Sequence, residues 1–216
     1  MLAVVGPTAT GKTALGVALA EAFEGEVISA DSMQLYKGLD VGTAKVTPDE
    51  THGIPHHAVD LLTPDEPFSV ADFVALAGRL EADISARGRL PILVGGTGLY
   101  VQSFLYGVRF AAEKTPDGLR EQLAAELAEK GGTAMYEELR QVDPESAARL
   151  HPADTKRILR ALEVYLETGE TISAHNAATR QLPPRYDAVW IGLQFADRAD
   201  MKALIDRRVD KMAEEG

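Results

Sequence analysis

The sequence predicts an α/β fold: a parallel sheet with flanking helices, and an all-helical insertion domain. Three observations carry that prediction. Short apolar segments alternate with helical stretches from Met1 to about Gly107; a glycine-rich turn joins the first segment to the first helix; and helix follows helix from about Glu113 to Thr179.

In chain order, the first strand is Leu2–Val5, followed by a helix over Lys12–Phe23 with apolar residues at Leu15, Ala18, Leu19 and Ala22. A second strand covers Glu26–Ala30, a helix runs near Val70–Ala86, and a further strand covers Leu90–Val94. Strands separated by helices need crossover connections, which makes the pairing parallel. Beyond Glu113 the breaks are Pro116, Asp143-Pro144 and His151-Pro152, with a turn at Gly131-Gly132. The run Ala188–Leu193 returns to the sheet and a last helix begins near Arg198, still running where the sequence ends, so more chain is expected after Gly216. Residues 1–112 and 183–216 are therefore expected to form the α/β core and residues 113–182 the insertion. Trp190 and Phe195 are expected in the core.

Composition bounds the function. With 216 residues, 45% hydrophobic and 25% charged, the chain has the make-up of a water-soluble globular protein and no apolar run long enough to span a membrane. A cytoplasmic monomer is the expectation. The absence of cysteine excludes disulfides, thiolate metal sites and a thiol nucleophile. A net charge of -11 argues against binding nucleic acid through the surface as a whole, so any such site must be a local basic patch.

The strongest motif is Gly6-Pro7-Thr8-Ala9-Thr10-Gly11-Lys12-Thr13, which fits G-x-x-x-x-G-K-[ST] between a strand and a helix. That context makes the fold P-loop NTPase-like. The loop's N–H groups wrap an anion, the helix N-terminus adds the positive end of its dipole, Lys12 adds a point charge, and the Thr13 hydroxyl is a candidate ligand for Mg²⁺.

A P-loop specifies a phosphate and leaves the reaction open. The second strand ends in Asp31-Ser32, at the edge of the sheet where ligands sit. There Asp31 could bind magnesium, act as a general base, or cap the following turn together with Ser32. Where a hydrolytic P-loop enzyme carries a Walker-B carboxylate, the strand after Pro91 runs instead into Gly95-Gly96-Thr97. Nucleotide hydrolysis thereby loses one of its usual parts. Thr97, between two glycines, could present a hydroxyl and backbone N–H groups to the same crevice, or form a plain turn.

Taken together, Gly6–Thr13, Asp31-Ser-Met-Gln-Leu-Tyr-Lys-Gly38, Asp40-Val-Gly-Thr-Ala-Lys45, Pro55-His-His57 and Leu93-Val-Gly-Gly-Thr-Gly-Leu-Tyr100 resemble the tRNA dimethylallyltransferases, also called tRNA isopentenyltransferases. Val142-Asp-Pro144 and His151–Glu163 extend the resemblance over essentially the whole chain. It implies transfer of the dimethylallyl group from dimethylallyl diphosphate to N6 of adenosine 37, beside the anticodon of tRNA, with Mg²⁺ assisting. The resemblance makes Gly6–Thr13 the donor-diphosphate site, Asp31 the acceptor of the adenine amine proton, and Thr97 a second catalytic residue in contact with the active site. It also implies tRNA contacts from Asp31, Ser32, Met33, Gln34, Thr97, Arg120, Lys156, Arg157, Ile158, Leu159 and Arg160. Its members carry a further C-terminal helical region, which is what the resemblance leads one to expect after Gly216.

Between Arg149 and Arg160 stand four basic side chains (Arg149, Lys156, Arg157, Arg160) and one acidic one (Asp154), a local net charge of +3. Arg157 and Arg160, three apart, share a helical face. This stretch reads either as the tRNA contact that the resemblance implies or as a solvated helix face. Adjacent His56 and His57 point to a structural or loop role, because neighbours along a strand face opposite ways. Tyr36 and Tyr100 are further candidates for the pocket lining. The alternatives to a tRNA transferase are a small-molecule kinase, a relative that prenylates free AMP, and a nucleotide-binding module without catalysis.

Overall fold

The computed structural model describes residues 1–108, 118–181 and 183–215, with only the backbone of Glu215. Two compact units emerge, Met1–Gly107 with Pro184–Gly216, and Val108–Pro183. Residues 112, 113 and 182 of the expected boundaries, and the break at Pro116, lie outside the described residues.

The first unit is built on five strands, β1 (Leu2–Val5), β2 (Gly25–Ser29), β3 (His56–His57), β4 (Leu90–Gly95) and β5 (Val189–Gly192). They form one all-parallel sheet in the order β3-β2-β4-β1-β5. Alternate residues feed two cores. Val4, Val27, Ile92 and Val94 share a cluster with Ala20 of α1 (Lys12–Phe23), while Ala3, Ile28 and Leu93 cluster with Phe73, Ala77 and Ile84 of α2 (Val70–Ala86) and with Val101 and Phe104 of α3 (Gly98–Leu105). Burial on both faces explains why the inner strands read as unbroken apolar runs. α1 packs closely: a Cβ on Gly16 would lie 2.7 Å from a Val94 methyl. α2 opens with a capping box, the Asp72 amide donating to Ser69 Oγ at 3.2 Å and the Ser69 amide to Asp72 Oδ2 at 2.8 Å.

One sequence expectation changes here. Trp190 is 43% exposed, because β5 is an edge strand bonded only to β1, and Tyr106 lies beside it with ring centroids 6.2 Å apart. Phe195 is half-buried. Of the structural and loop roles left open for the two histidines, the structural one is taken: they form β3, and the Val27 amide bonds the carbonyl of Pro55 just before it. The final helix, α9, spans Arg198–Glu215.

The second unit is helical among its described residues: α4 (Leu119–Lys130), α5 (Gly132–Val142), α6 (Pro144–Ala147), α7 (Thr155–Thr168) and α8 (Ile172–Arg180). Leu123, Met135, Leu139, Ala147, Ile158, Ala161 and Leu162 make its core. Gly131, at φ 82°, closes α4. Buried Asp143 caps α6 by accepting from the Ser146 amide at 3.0 Å, and holds the start of α8 by accepting from the Ser173 hydroxyl at 2.7 Å.

One charged group lies inside the sheet. Glu26 on β2 is 5% exposed; its carboxylate takes both amino groups of Arg87, one of them at 2.8 Å, and His57 Nε2 lies 2.7 Å away. The Arg87 hydrogen bond is the main cause that holds its pKa near 2, with His57 adding to it against the opposing effect of burial. A pKa depressed in the folded state adds stability above the unfolded carboxylate value, and that stability is lost as pH falls towards 2. Glu26→Gln is expected to lower stability at pH 7 by about 1–3 kcal/mol and to flatten the acid limb of the stability curve. Urea melts at several pH values test this; an acid limb as steep as the wild type's would contradict it.

Candidate active site

The candidate site grows out of strand ends that stand too close for side chains. A Cβ on Gly6, just past β1, would lie 2.4 Å from the carbonyl oxygen of Leu193, just past β5. A Cβ on Gly95, the last residue of β4, would lie 2.3 Å from the carbonyl oxygen of Ala30, just past β2. Real side chains do not fit at such distances. The missing Walker-B carboxylate thus has a steric reason: Ala30 occupies the space that an aspartate at position 95 would need.

From Gly6 the backbone turns through Ala9 (φ 66°) and Gly11 (φ 81°) into α1. Thr10 Oγ1 and Lys12 Nζ both donate to the carbonyl of Pro7, at 2.8 and 2.6 Å, which folds the turn over the start of the helix. Thr8–Thr13 then wall a cavity of about 450 Å³ whose other sides include Ser29, Asp31, Gln34, Gly95, Gly96 and, from α9, Arg208. Burial lowers the Lys12 pKa, Arg208 lowers it further, and Asp31 opposes both. Two cations and a helix N-terminus facing one cavity make a site for a polyanion.

Asp31 sits at the rim on a short turn, where its Oδ1 accepts from the Met33 amide at 2.9 Å. The turn is tied to the end of β4, because Thr97 Oγ1 accepts from the Ser32 amide at 3.1 Å while the Thr97 amide donates to the carbonyl of Ala30 at 3.1 Å. Gln34 fixes the next segment: its Oε1 accepts from the Ser29 hydroxyl at 3.1 Å, and its amide nitrogen donates to the carbonyls of Thr43 and Ala44 at 3.4 and 3.3 Å. Asp31 therefore lines the same cavity as Lys12, close enough for its charge to act on the lysine, on a turn braced from two sides.

The chain belongs to the IPP transferase family. That family matches over residues 34–216, and the isopentenyl transferase family over residues 1–58. The chain is 52% identical to the tRNA dimethylallyltransferases of Geobacillus thermodenitrificans and Symbiobacterium thermophilum, over all of its own length and 68% and 67% of theirs. Among solved structures, the tRNA isopentenylpyrophosphate transferase of Bacillus halodurans matches at 44% identity and a TM-score of 0.66, covering all of this chain and 66% of that one. A eukaryotic dimethylallyltransferase acting on tRNA matches at 31% identity and a TM-score of 0.84, covering all of this chain and 53% of that one. The chain thus spans about two thirds of the length of the curated relatives.

Within this IPP transferase, Thr8–Thr13, Asp31 and Gln34 converge on one cavity, whereas Ser32, Met33 and Thr97 do not line it. Met33 is 49% exposed at the rim, and Thr97 braces the turn. Arg120 and Lys156–Arg160 belong to the helical unit. Lys156, Arg157 and Arg160 are exposed there, but the side chain of Ile158 is fully buried in the helical core and Leu159 packs against it. The side chain of Ile158 anchors the helix that carries the basic residues. Tyr100 is also a core residue, stacked on Phe73 at 4.2 Å, and Tyr36 packs against the same core; neither lines the cavity.

Sequence reasoning missed Arg208 and His56. Arg208 lies far along the chain on a helix of mixed charge, so no local pattern marks it. His56 Nδ1 faces the carbonyl of Ile54 at 2.9 Å, so that nitrogen carries the proton; Nε2 is a buried acceptor with no partner among the described residues, and burial lowers the ring's pKa. The alternation of faces along β3 separates it from His57, which pairs with Glu26.

Thr13, Ser29 and Asp31 place two hydroxyls and one carboxylate in the cavity wall. No group of three His, Cys, Asp or Glu side chains able to hold a metal occurs among the described residues. This oxygen set fits a hard divalent cation that completes its shell with phosphate oxygens and water. No helix among the described residues is long and apolar enough to cross a membrane.

The crowding at Gly95 is testable. Gly95→Ala must push the ends of β2 and β4 apart, and is expected to cost about 1–3 kcal/mol. Equilibrium unfolding in urea measures it, and an unchanged midpoint at unchanged slope would contradict the steric account.

Proposed function

We propose that this chain carries the catalytic core of a tRNA dimethylallyltransferase, moving the dimethylallyl group from dimethylallyl diphosphate to N6 of adenosine 37, beside the anticodon. The observation that carries the reading is the pairing of a phosphate-binding turn with Asp31 across one cavity, together with the closed position at Gly95. The turn supports polyanion binding, and the strand end at Gly95-Gly96 carries no carboxylate of the kind that nucleotide hydrolysis uses. A kinase reading therefore lacks a part that a transferase does not need.

In the reaction the allylic C–O bond breaks, diphosphate leaves with the bonding pair, and a C–N bond forms to N6. Charge grows on the departing oxygens, and the N–H groups of the turn, Lys12 and Arg208 stabilise it. Magnesium, held by Thr13 and the diphosphate, would supply further charge neutralisation. The exocyclic amine is a poor nucleophile, and Asp31 takes the proton that N6 releases. Its hydrogen bond from the Met33 amide engages Oδ1 and fixes the carboxylate plane, so Oδ2 is the oxygen assigned to that proton. Lys156, Arg157 and Arg160, with Arg120, provide the helical unit's cations for tRNA phosphates in a chain that is otherwise strongly acidic.

Asp31→Asn keeps an oxygen for the Met33 amide and removes the base. With dimethylallyl diphosphate, Mg²⁺ and a tRNA bearing adenosine 37, the intact protein should yield a nucleoside heavier by one isopentenyl unit, and Asp31→Asn should lower kcat by about 10²–10⁴-fold with donor binding retained. Nucleoside mass spectrometry reads the product; unmodified adenosine with the wild-type protein would refute the reading.

A further inference from the structure

The helical unit contains a buried carboxylate gripped by two arginines. Glu163 on α7 keeps 6% of its side chain exposed, whereas Arg120 on α4 keeps 68% and Arg160 on α7 keeps 44%. Each arginine takes one Glu163 oxygen: Oε1 accepts from Arg120 Nε, and Oε2 from Arg160 Nη1 at 2.7 Å, among the described residues. That bond to Glu163 is the main cause raising the Arg120 pKa. One turn further along α7, both carboxylate oxygens of Glu167 are buried with no hydrogen-bond partner among the described residues, and Arg120 is a cation whose field couples to it.

Two features separate this cluster from an ordinary basic patch. Two arginines against two glutamates carry no net charge, so the group gains little from charge density alone. Each guanidinium also has five N–H donors, and the bonds to Glu163 leave several of them on side chains that remain exposed. A carboxylate fixed in the core and bonded to two exposed guanidiniums sets their spacing and planes, and lowers the rotamer entropy that a free arginine would lose on binding.

We propose that Glu163 is a positioning residue that holds Arg120 and Arg160 in register for backbone phosphates of bound tRNA; this rests on the transferase reading above. Glu163→Gln separates positioning from charge, because the two predict opposite signs. Removing a negative charge beside two arginines strengthens attraction for an anion, whereas giving one arginine an amide donor to face breaks the shared grip.

The test is steady-state transfer to tRNA by the intact protein, at a temperature where circular dichroism shows each variant folded. Glu163→Gln is expected to raise the KM for tRNA about three- to tenfold with kcat within about twofold. Arg120→Lys, at an exposed position that tolerates substitution and keeps the charge, should raise KM similarly. In an Arg120→Ala background, Glu163→Gln should add less than it does alone. If Arg120→Ala and Arg160→Ala leave KM unchanged, these arginines do not bind tRNA and the proposal falls with that part of the reading. If they raise KM while Glu163→Gln leaves it unchanged or lowers it, the positioning role is overturned and the reading stands. A lowered Tm with unchanged KM would likewise reduce Glu163 to a clamp between helices.

Discussion

The site depends on backbone meeting backbone at the ends of parallel strands. Gly6 against Leu193 and Gly95 against Ala30 are contacts that admit no Cβ, so the ends of β1, β2, β4 and β5 close to a separation that larger residues would forbid. Closure at Gly6 aims the phosphate-binding turn into α1. Closure at Gly95 brings the Asp31 turn beside that loop, where Thr97 can tie it down. The same crowding that builds the cavity also removes the place from which a Walker-B carboxylate would act.

The electrostatics follow the same economy. In a chain of net charge -11, two groups of cations stand out at candidate anion sites. In the α/β unit those groups are Lys12, Arg208 and the start of α1. In the helical unit they are the outward residues of α7 and the pair of arginines on Glu163. Acidic groups elsewhere, such as Glu26 with Arg87 and His57, are used up internally and support the sheet.

Much of this was legible in the sequence because its physical causes are local. The eight residues from Gly6 to Thr13 prescribe their own conformation, and unbroken apolar runs at Leu2–Val5 and Leu90–Val94 follow from sheet faces covered on both sides. Asp31 was legible because strand ends locate ligands in parallel sheets. Features set by distant segments were hidden. Arg208 reaches the cavity from the last helix, and Trp190 is exposed because β5 lies at the edge, which the order of strands decides and the run itself does not reveal. Ile158 shows the converse: a motif quoted as one stretch mixes core and surface positions, and only helical packing sorts them.

The central claim is that the cavity under the glycine-lysine turn holds the donor's diphosphate opposite Asp31. A crystal structure with a non-reactive thio-analogue of dimethylallyl diphosphate tests it most directly. The account predicts phosphate oxygens within hydrogen-bonding distance of Lys12 Nζ and the amides of the turn, with the allylic carbon directed towards Asp31. Phosphates bound elsewhere, with Lys12 still on the carbonyl of Pro7, would contradict it.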